Sequence, residues 1–405
     1  MDEYIVVKEG LARLKVPNPA RYRDERGRFD PAWAPVFYNP RMRLSRDIGS
    51  ALVRAYAEYT GRTRLRILDA LAATGARGIR YALENRDVVA EVTLNDVNPL
   101  AAALAEENVR ANGLGEIASV MREDAAVLMT RERGYDVVEV DPFGTPAPFT
   151  EPALRAVNHG GMLCLTATDM PPLLGKYPYT SIRKYFSRSI DAEFSRETGS
   201  RILLYFVARE AAKLDKRVEP LYVHSSDHYI RVCVQVLRGG SRTGGLRGNI
   251  GYVSYCPERL HRGVHEGLVP RLPETCPACG ARLVHGGPLW IGGLWNPDFA
   301  RRVENAYKRG YEEGYLSPRG SKMTSLIASE VGMPPLYYTT GRLASRYGIA
   351  EEPPVRRLVS RLVAEGYKAS LTHFDGKGFR TDAPPEDIVS LMGEGRRAAR
   401  GTLSP

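Results

Sequence analysis

Short apolar runs alternate with amphipathic helical patterns between Leu65 and Asp169. The apolar runs are LRILDAL, EVTLNDV, SVMRED, YDVVEVDP and GMLCLTATD, and the segments between them, such as PLAAALAEENVRANG, have helical spacing. Strands that alternate with helices predict a mostly parallel sheet with helices on both faces. We therefore expect a doubly wound α/β domain, whose ligands bind beyond the carboxyl ends of the strands.

The following segments predict how this domain ends. A helix is expected from Glu193 to Leu214, and then two strand-like runs, EPLYVHS and HYIRVCVQVLR, separated by a short polar turn. Such a pair would add antiparallel strands at the end of the sheet. The Gly-rich, basic segment from Arg238 to Gly251 predicts a boundary near residue 245. Residues 1–245 then form an N-terminal extension and a Rossmann-like domain, and residues 246–405 a smaller α+β domain.

The C-terminal part has the pattern of a winged helix. Helices are expected over Thr340 to Tyr347 and Val355 to Gly366, followed by a hairpin from Lys368 to Arg380 with Asp375 and Gly376 in its turn. Basic side chains on this hairpin, Lys377 and Arg380 among them, are candidates for phosphate contacts. A solvated charged face is the alternative explanation for them.

The charge balance favours a polyanionic partner. The 405 residues carry a formal net charge of +10 and a pI of about 9.3, which favours nucleic acid through counterion release. A thermostable, highly charged surface is a second explanation, since glutamine occurs only at Gln235. Neither a signal peptide nor a membrane span is predicted, so we expect a cytoplasmic protein. Cys164 and Cys233 lie in apolar runs, where reduced core thiols are expected.

Acidic residues follow three successive predicted strands. The first strand ends at Asp69 and leads into a turn containing Gly75 and Gly78, the second ends at Asp96, and the third at Asp124. Glycines permit a tight turn beneath a nucleoside, and carboxylates can accept hydrogen bonds from ribose hydroxyls or an adenine amine. The turn lacks the GxGxxG spacing of dinucleotide enzymes, so S-adenosylmethionine fits better. For each acid singly, capping of the following helix is the competing explanation.

The fourth strand ends in a group suited to amine chemistry. Asp141 is followed by Pro142, Phe143 and Gly144. An exocyclic base amine is a poor nucleophile, and a carboxylate that accepts its hydrogen localises the lone pair. Pro142 would fix the backbone and the Phe143 ring could stack on a flipped base. The motif therefore predicts methylation of an exocyclic nitrogen.

Motifs along nearly the whole chain resemble the tRNA guanine-26 N2-dimethyltransferase family. They are Phe37-Tyr38-Asn39-Pro40 with Arg46-Asp47, the run from Asp69 to Arg80, Asn95-Asp96, Asp141 to Gly144, Leu165 to Asp169, Asp227-His228-Tyr229 and Thr372-His373-Phe374. The resemblance implies S-adenosylmethionine as cofactor, tRNA as partner and a catalytic role for Asp141. It implies that Phe37 and Phe143 enclose the guanine and that Asn39 contacts substrate. It also implies a cofactor site formed by Arg46, Asp69, Arg77, Asp96, Asp124 and Ala125.

The chain departs from the family pattern at Ser45, where asparagine is usual, and in its cysteines. The family often carries two Cys-x-x-Cys pairs, whereas here Cys256-Pro-Glu-Arg259 lacks the second thiol and Cys276-Pro-Ala-Cys279 retains both. Three thiols and one histidine could complete a zinc site. The fourth ligand is open among His261, His265 and His285. Free thiols or a disulfide in a packed, metal-free site are the alternative.

Two further functions remain open from the sequence. An enzyme of the same chemistry could methylate another RNA or DNA, and a relic fold could bind RNA without catalysis. The set Asp96, Asp124, Asp141 and Phe143 argues against a relic. Whether one or two methyl groups are added stays open.

Overall fold

The computed structural model describes residues 2–239 and 246–393. Its strands are β1 (Tyr4–Glu9), β2 (Ala12–Pro17), β3 (Leu65–Asp69), β4 (Val89–Asn95), β5 (Ala118–Met121), β6 (Tyr135–Val140), β7 (Val157–Ala167), β8 (Lys216–Ser226), β9 (Tyr229–Arg238), β10 (Ile250–Tyr255), β11 (Arg262–Glu266), β12 (Val284–Trp290), β13 (Tyr338–Thr339), β14 (Ala369–Leu371) and β15 (Gly378–Thr381). Its α-helices are α1 (Arg43–Thr60), α2 (Ala76–Glu84), α3 (Pro99–Ala111), α4 (Ala125–Arg131), α5 (Ala147–Ala156), α6 (Met170–Leu173), α7 (Pro178–Tyr185), α8 (Ser195–Ala212), α9 (Pro297–Glu312), α10 (Pro318–Glu330), α11 (Thr340–Tyr347), α12 (Val355–Ala364) and α13 (Pro385–Gly393).

The largest sheet has seven strands in the order β5-β4-β3-β6-β7-β9-β8. Strands β5, β4, β3, β6 and β7 pair in parallel. Strands β8 and β9 are neighbours joined by Asp227 and His228 alone, and a two-residue connection requires an antiparallel pair. The predicted mostly parallel sheet with antiparallel strands at its end is confirmed.

The burial of the central strand β6 indicates that helices cover both faces of the sheet. All six residues of β6, YDVVEV, are buried, as expected for a parallel strand between two helical layers. Gly75 begins the turn into α2 with φ of 78°, a left-handed conformation that glycine adopts without strain. A Cβ on Gly78 would lie 2.2 Å from Leu94 Cδ2. The two glycines therefore allow α2 to start directly at the carboxyl end of β3.

The chain forms two compact units that interleave along the sequence. The first comprises Met1–Ala167, Cys233–Arg238 and Pro297–Ser325, and the second comprises Thr168–Val232, Gly239–Asn296 and Leu326–Pro405. In the first unit α9 packs on α1, so this unit does not end at one point of the chain. The predicted boundary at residue 245 lies outside the described residues. The division into 1–245 and 246–405 stays a prediction that does not coincide with these units.

The second unit contains two small sheets. One has the order β11-β10-β12 and the other β13-β15-β14. Helix α11 has the predicted bounds, α12 ends two residues before the predicted end at Gly366, and β14 and β15 form the predicted hairpin. The winged-helix-like end is therefore confirmed. In the described ranges no helix combines the length and hydropathy needed to cross a membrane.

One expectation about the core was wrong. Cys164 of β7 and Cys233 of β9 form a disulfide, whereas two reduced thiols were expected from the sequence. The two strands are neighbours in the sheet, which brings together cysteines separated by 69 residues. Cys256, Cys276 and Cys279 are free thiols.

Candidate active site

A pocket lies at the carboxyl end of β3 in the first unit. Its cavity volume is about 50 Å³, which is small beside the roughly 300–1,000 Å³ of a typical ligand pocket. Its lining consists of Phe37, Tyr38, Asn39, Arg46, Asp69, Leu71, Ala72, Ala73, Thr74, Ala76, Arg77 and Asp141. The pocket therefore brings together predicted catalytic, substrate and cofactor residues that lie far apart in the sequence.

Asp141 follows the last residue of β6 and forms an ion pair with Arg77 of α2. The contact joins Arg77 Nη2 to Asp141 Oδ2. Arg77 also donates to Ser45 Oγ over 3.3 Å and to the Tyr81 hydroxyl over 3.4 Å, and that hydroxyl donates to Glu139 over 2.8 Å. Burial opposes the charge of Arg77, but Asp141 and its other acidic neighbours raise the pKa of Arg77 well above its usual value. A positive charge is therefore fixed beside the Asp141 carboxylate.

Asp69 is the buried carboxyl of this pocket. Its side chain is fully enclosed and Oδ2 accepts a hydrogen bond from the Gly78 backbone over 3.1 Å. Burial, together with the negative charges of Glu139 and Asp141, raises the pKa of Asp69 to about 7 against the opposing effect of Arg77. Near neutrality this group can therefore hold or release a proton.

Arg46 is held by an acid that the sequence analysis did not single out. Its Nε and Nη2 bond to the two oxygens of Glu9 at 2.6 and 2.7 Å, and Nη2 also donates to the Asn39 carbonyl at 3.1 Å. Burial alone would raise the pKa of Glu9, but Arg46 and Arg80 beside it lower it to about 2. The Asn39 side chain caps the turn Pro40–Met42. Asn39 thus fixes both the chain entering α1 and the position of Arg46.

The acids after β4 and β5 bond to neighbouring backbone groups. Asp96 accepts from the N–H of Ala73 and of Asn98, each over 2.9 Å. Asp124 caps α4, where Oδ1 accepts from two N–H groups, and the first residue of that helix, Ala125, is buried. The capping explanation therefore holds for Asp124. Since a carboxylate has about four acceptor sites, these bonds leave capacity on both acids for a ligand.

Ala73 marks strain at the pocket. This residue has φ of 48°, a left-handed conformation that is uncommon outside glycine and concentrates at functional sites. The Ala73 N–H donates a hydrogen bond to the Asp96 carboxylate. Asp96 thereby holds the loop after β3 in shape, although it does not itself line the pocket. Residue propensities in the sequence do not indicate that an alanine will adopt this conformation.

Phe37 and Phe143 touch each other directly. Their ring centroids lie 4.4 Å apart with an interplanar angle of 80°. A base between two parallel rings needs about 7 Å, twice a stacking distance, so one ring must turn before a guanine can enter. Phe143 is 66% exposed and follows the half-buried Pro142. The predicted enclosure of guanine by both rings stays a prediction.

The three cysteines of the second unit lie close together as predicted. Their sulfur atoms all fall within 4.8 Å of one another, and Cys256 Sγ and Cys279 Sγ are 3.6 Å apart. Tetrahedral zinc with Zn–S bonds of about 2.3 Å separates its sulfur ligands by roughly 3.8 Å. The Arg259 N–H donates to Cys256 Sγ over 3.4 Å. Three thiols thus fit a zinc ion.

The histidines considered as fourth ligand do not join this cluster. Among the described residues, the group that could hold a metal contains the three cysteines and neither His261, His265 nor His285. His265 Nε2 instead lies 2.8 Å from Ser254 Oγ. The fourth position is not supplied by a predicted histidine in this conformation.

The two predicted docking residues of the hairpin have opposite environments. Lys377 is 66% exposed and pairs with Glu352 over 2.7 Å. Arg380 is 1% exposed, with Nε 2.6 Å from Glu330 Oε2 and Nη1 3.0 Å from Glu197 Oε2. The role of Arg380 in phosphate contact does not fit this position, because its guanidinium is enclosed and neutralised inside the second unit. Lys377 remains a candidate.

Comparisons with known proteins agree over nearly the full length. Residues 17–393 match the family described as N2,N2-dimethylguanosine tRNA methyltransferase. The tRNA (guanine(26)-N(2))-dimethyltransferase of Methanosarcina acetivorans is 37% identical over 395 residues, covering 95% of this chain and 97% of that protein. That of Methanosphaera stadtmanae is 34% identical and covers 97% of both.

A solved structure is also similar. Trm1 from Pyrococcus horikoshii in complex with S-adenosyl-L-methionine matches with a TM-score of 0.81 and 32% identity, covering 96% of this chain and 99% of that one. The match includes both the parallel sheet and the C-terminal part, since it spans almost the whole chain. The chain belongs to the N2,N2-dimethylguanosine tRNA methyltransferase family.

Proposed function

We propose that this protein transfers methyl groups from S-adenosylmethionine to the exocyclic N2 of guanine 26 in tRNA, giving N2-methylguanosine and N2,N2-dimethylguanosine. The proposal rests on Asp141, whose carboxylate lines the pocket at the carboxyl end of the sheet beside Arg77. Bound S-adenosylmethionine supplies an electrophilic methyl group. The proposed location of this activity is the cytoplasm.

Asp141 acts on the hydrogen of the amine. Because Arg77 engages Oδ2, Oδ1 is the oxygen that accepts a hydrogen bond from the guanine amine. This bond localises the nitrogen lone pair, and the carboxylate takes up the proton released when the C–N bond forms. The adjacent Arg77 pairs with the Asp141 carboxylate and holds it in place. After one methyl transfer the amine retains one hydrogen, so Asp141 can act in the same way again.

Other residues orient the two substrates. Phe143 is exposed at the pocket edge, so its ring can stack on guanine once it turns away from Phe37. Asp96 retains acceptor capacity for the ribose hydroxyls of the cofactor. Asp124 and Ala125 follow the neighbouring strand β5, where they can contact the adenine. Lys377 in the C-terminal part is suited to phosphate, since it is exposed.

The cysteine cluster is suited to a zinc ion, and the burial of two of its three thiols favours a structural role. Cys256 and Cys276 are buried and pack with Ala281 and Leu283. Among the described residues, no further histidine, cysteine, aspartate or glutamate joins this cluster. Zinc bound here would link the segments that carry Cys256 and Cys276.

Substitution of Asp141 tests the proposal. Asp141→Asn keeps the shape but not the charge, and should lower methyl transfer by about a hundredfold or more. Mass spectrometry of nucleosides from unmodified tRNA gives both the rate and the number of methyl groups, and tRNA carrying adenine at position 26 is the matched control. Calorimetric binding of S-adenosylmethionine should persist in the variant. Turnover near that of the wild type would remove Asp141 from the mechanism.

A further inference from the structure

The outer side of α7 carries an unusual set of exposed aromatic side chains. Tyr177 is 59% exposed, Tyr179 85%, Ile182 41% and Phe186 54%. Large apolar side chains grouped on one short segment mark an interaction site more often than chance exposure. We refer to Lys176, Tyr177, Tyr179, Ile182, Arg183 and Phe186 as the α7 surface.

The inner side of α7 accounts for the stability of the helix. The Tyr185 hydroxyl donates to Asp169 over 2.6 Å, and Lys184 pairs with the same carboxylate over 2.9 Å. The Tyr185 ring also makes an edge contact with Phe206. These contacts fix the helix without using Tyr177 or Tyr179. The exposed tyrosines are therefore not needed to hold α7 in place.

Charge identifies the kind of partner that fits. Residues 170–190 contain Lys176, Arg183, Lys184 and Arg188 and no aspartate or glutamate. Of these cations, Lys184 pairs with Asp169, whereas Lys176, Arg183 and Arg188 are exposed. Aromatic rings interleaved with cations form the surfaces on which single-stranded nucleic acid stacks its bases and places its phosphates.

Phe186 shows that the surface is held in a costly conformation. Its φ of 55° is left-handed, which is an outlier for a bulky residue. The guanidinium carbon of Arg209 lies 3.8 Å from the ring centroid, a cation–π contact that keeps the ring at the surface. Arg209 itself pairs with Glu210. Strained residues that persist under such restraint concentrate at ligand-binding sites.

We propose that the α7 surface binds an unpaired or unstacked stretch of the tRNA, with Tyr177 and Tyr179 stacking on bases and Lys176 and Arg183 contacting phosphates. This inference rests on the proposed function. It gives the protein a second tRNA-binding surface besides Lys377 on the hairpin. A second copy of the chain fits less well. An isologous contact pairs a surface with itself, which would place these cations against their own copies.

Paired substitutions in the full-length protein test this surface. Binding of a fluorescently labelled, unmodified tRNA transcript is measured by anisotropy over a range of salt concentrations. Tyr177→Ala with Tyr179→Ala should weaken binding roughly tenfold or more, since each stacked base contributes about 1–3 kcal/mol. Tyr177→Phe with Tyr179→Phe keeps the rings and should bind as the wild type does. Arg183→Glu should weaken binding and reduce the salt slope by about one.

The matched control is Tyr311→Ala, which removes a tyrosine that is 44% exposed on α9 and should leave tRNA affinity unchanged. The affinity for S-adenosylmethionine should be the same in all variants. Unchanged tRNA binding in the double alanine variant overturns the proposal, and a simultaneous change in sedimentation or in binding to anionic vesicles would assign the surface to a second copy or to a lipid headgroup instead. A wild-type protein that binds tRNA without methylating guanine 26 would contradict the proposed function alone.

Discussion

Asp69 provides a test of the electrostatics of the pocket that is independent of catalysis. Its carboxyl is fully buried beside Glu139 and Asp141, and its pKa is raised from 3.8 to about 7. At about 1.4 kcal/mol per pKa unit, this difference corresponds to about 4 kcal/mol between the protonated and ionised forms. Asp69→Asn removes the titration and keeps an oxygen that can accept the Gly78 N–H.

The sign of the pH dependence follows from proton linkage. Below about pH 4 the carboxyl is protonated in both the folded and the unfolded chain, so ionisation of Asp69 has no cost. Between pH 4 and 7 the unfolded chain releases this proton while the folded protein retains it, so the stability contributed by Asp69 falls as pH rises. Above pH 7 the full cost applies. The free energy of unfolding of Asp69→Asn relative to the wild type should therefore rise by up to about 4 kcal/mol between pH 4 and 8.

Denaturation in guanidinium chloride at several pH values measures this difference. The variant Asp30→Asn, at an exposed turn where the side chain also caps, controls for the loss of one negative charge. Infrared difference spectra give a direct second measurement, because a protonated carboxyl has its own C=O stretch. That band should be present in the wild type at pH 6, absent at pH 9 and missing from Asp69→Asn at both. A stability difference that is flat over this range, with no band at pH 6, would refute the reasoning.

Three further predictions concern the cysteines and the hairpin. Thiol counts on the denatured, metal-free chain without reductant should find three thiols, and five would exclude the disulfide. Replacing Cys164 and Cys233 by alanine should lower the free energy of unfolding by up to about 4 kcal/mol, since the disulfide closes a loop of 69 residues. Purified protein should contain about one zinc per chain and lose heat stability with a chelator, whereas Cys256→Ser should be metal-free; metal-free wild type of equal stability would favour packing alone. Lys377→Glu should raise the apparent dissociation constant for tRNA. Arg380→Ala should instead lower the free energy of unfolding by about 3–5 kcal/mol. Equal stability of the two variants would contradict the burial of Arg380.

The sequence was most informative where function depends on strand ends. Asp69, Asp96, Asp124 and Asp141 each follow an apolar run whose length and spacing mark a parallel strand. The carboxyl ends of such strands share one edge of the sheet, so the period alone places the four acids at the same edge. The mostly parallel sheet was confirmed because local pattern and sheet topology agree over this part of the chain.

Sequence patterns failed where a side chain depends on a distant partner. Strand alternation in β15 buries Phe379 and would turn Arg380 to solvent, yet all four residues of β15 are buried. The acids that neutralise Arg380 come from α8 and α10, at Glu197 and Glu330. The disulfide partners are likewise far apart in sequence and adjacent only through the sheet order. No local period encodes these pairings.

The two arginines of the pocket, Arg46 and Arg77, are each paired with an acid. The resemblance associates Arg46 and Arg77 with the cofactor, while the structure pairs them with Glu9 and Asp141. An unpaired buried guanidinium would repel a sulfonium cation, whereas a guanidinium neutralised by a carboxylate does not. The paired arginines therefore define the pocket by fixing its acids and the loop at Asn39, and they remain compatible with a positively charged methyl donor. The cofactor role of Arg46 and Arg77 stays a prediction, and their ion pairs with Glu9 and Asp141 are compatible with it.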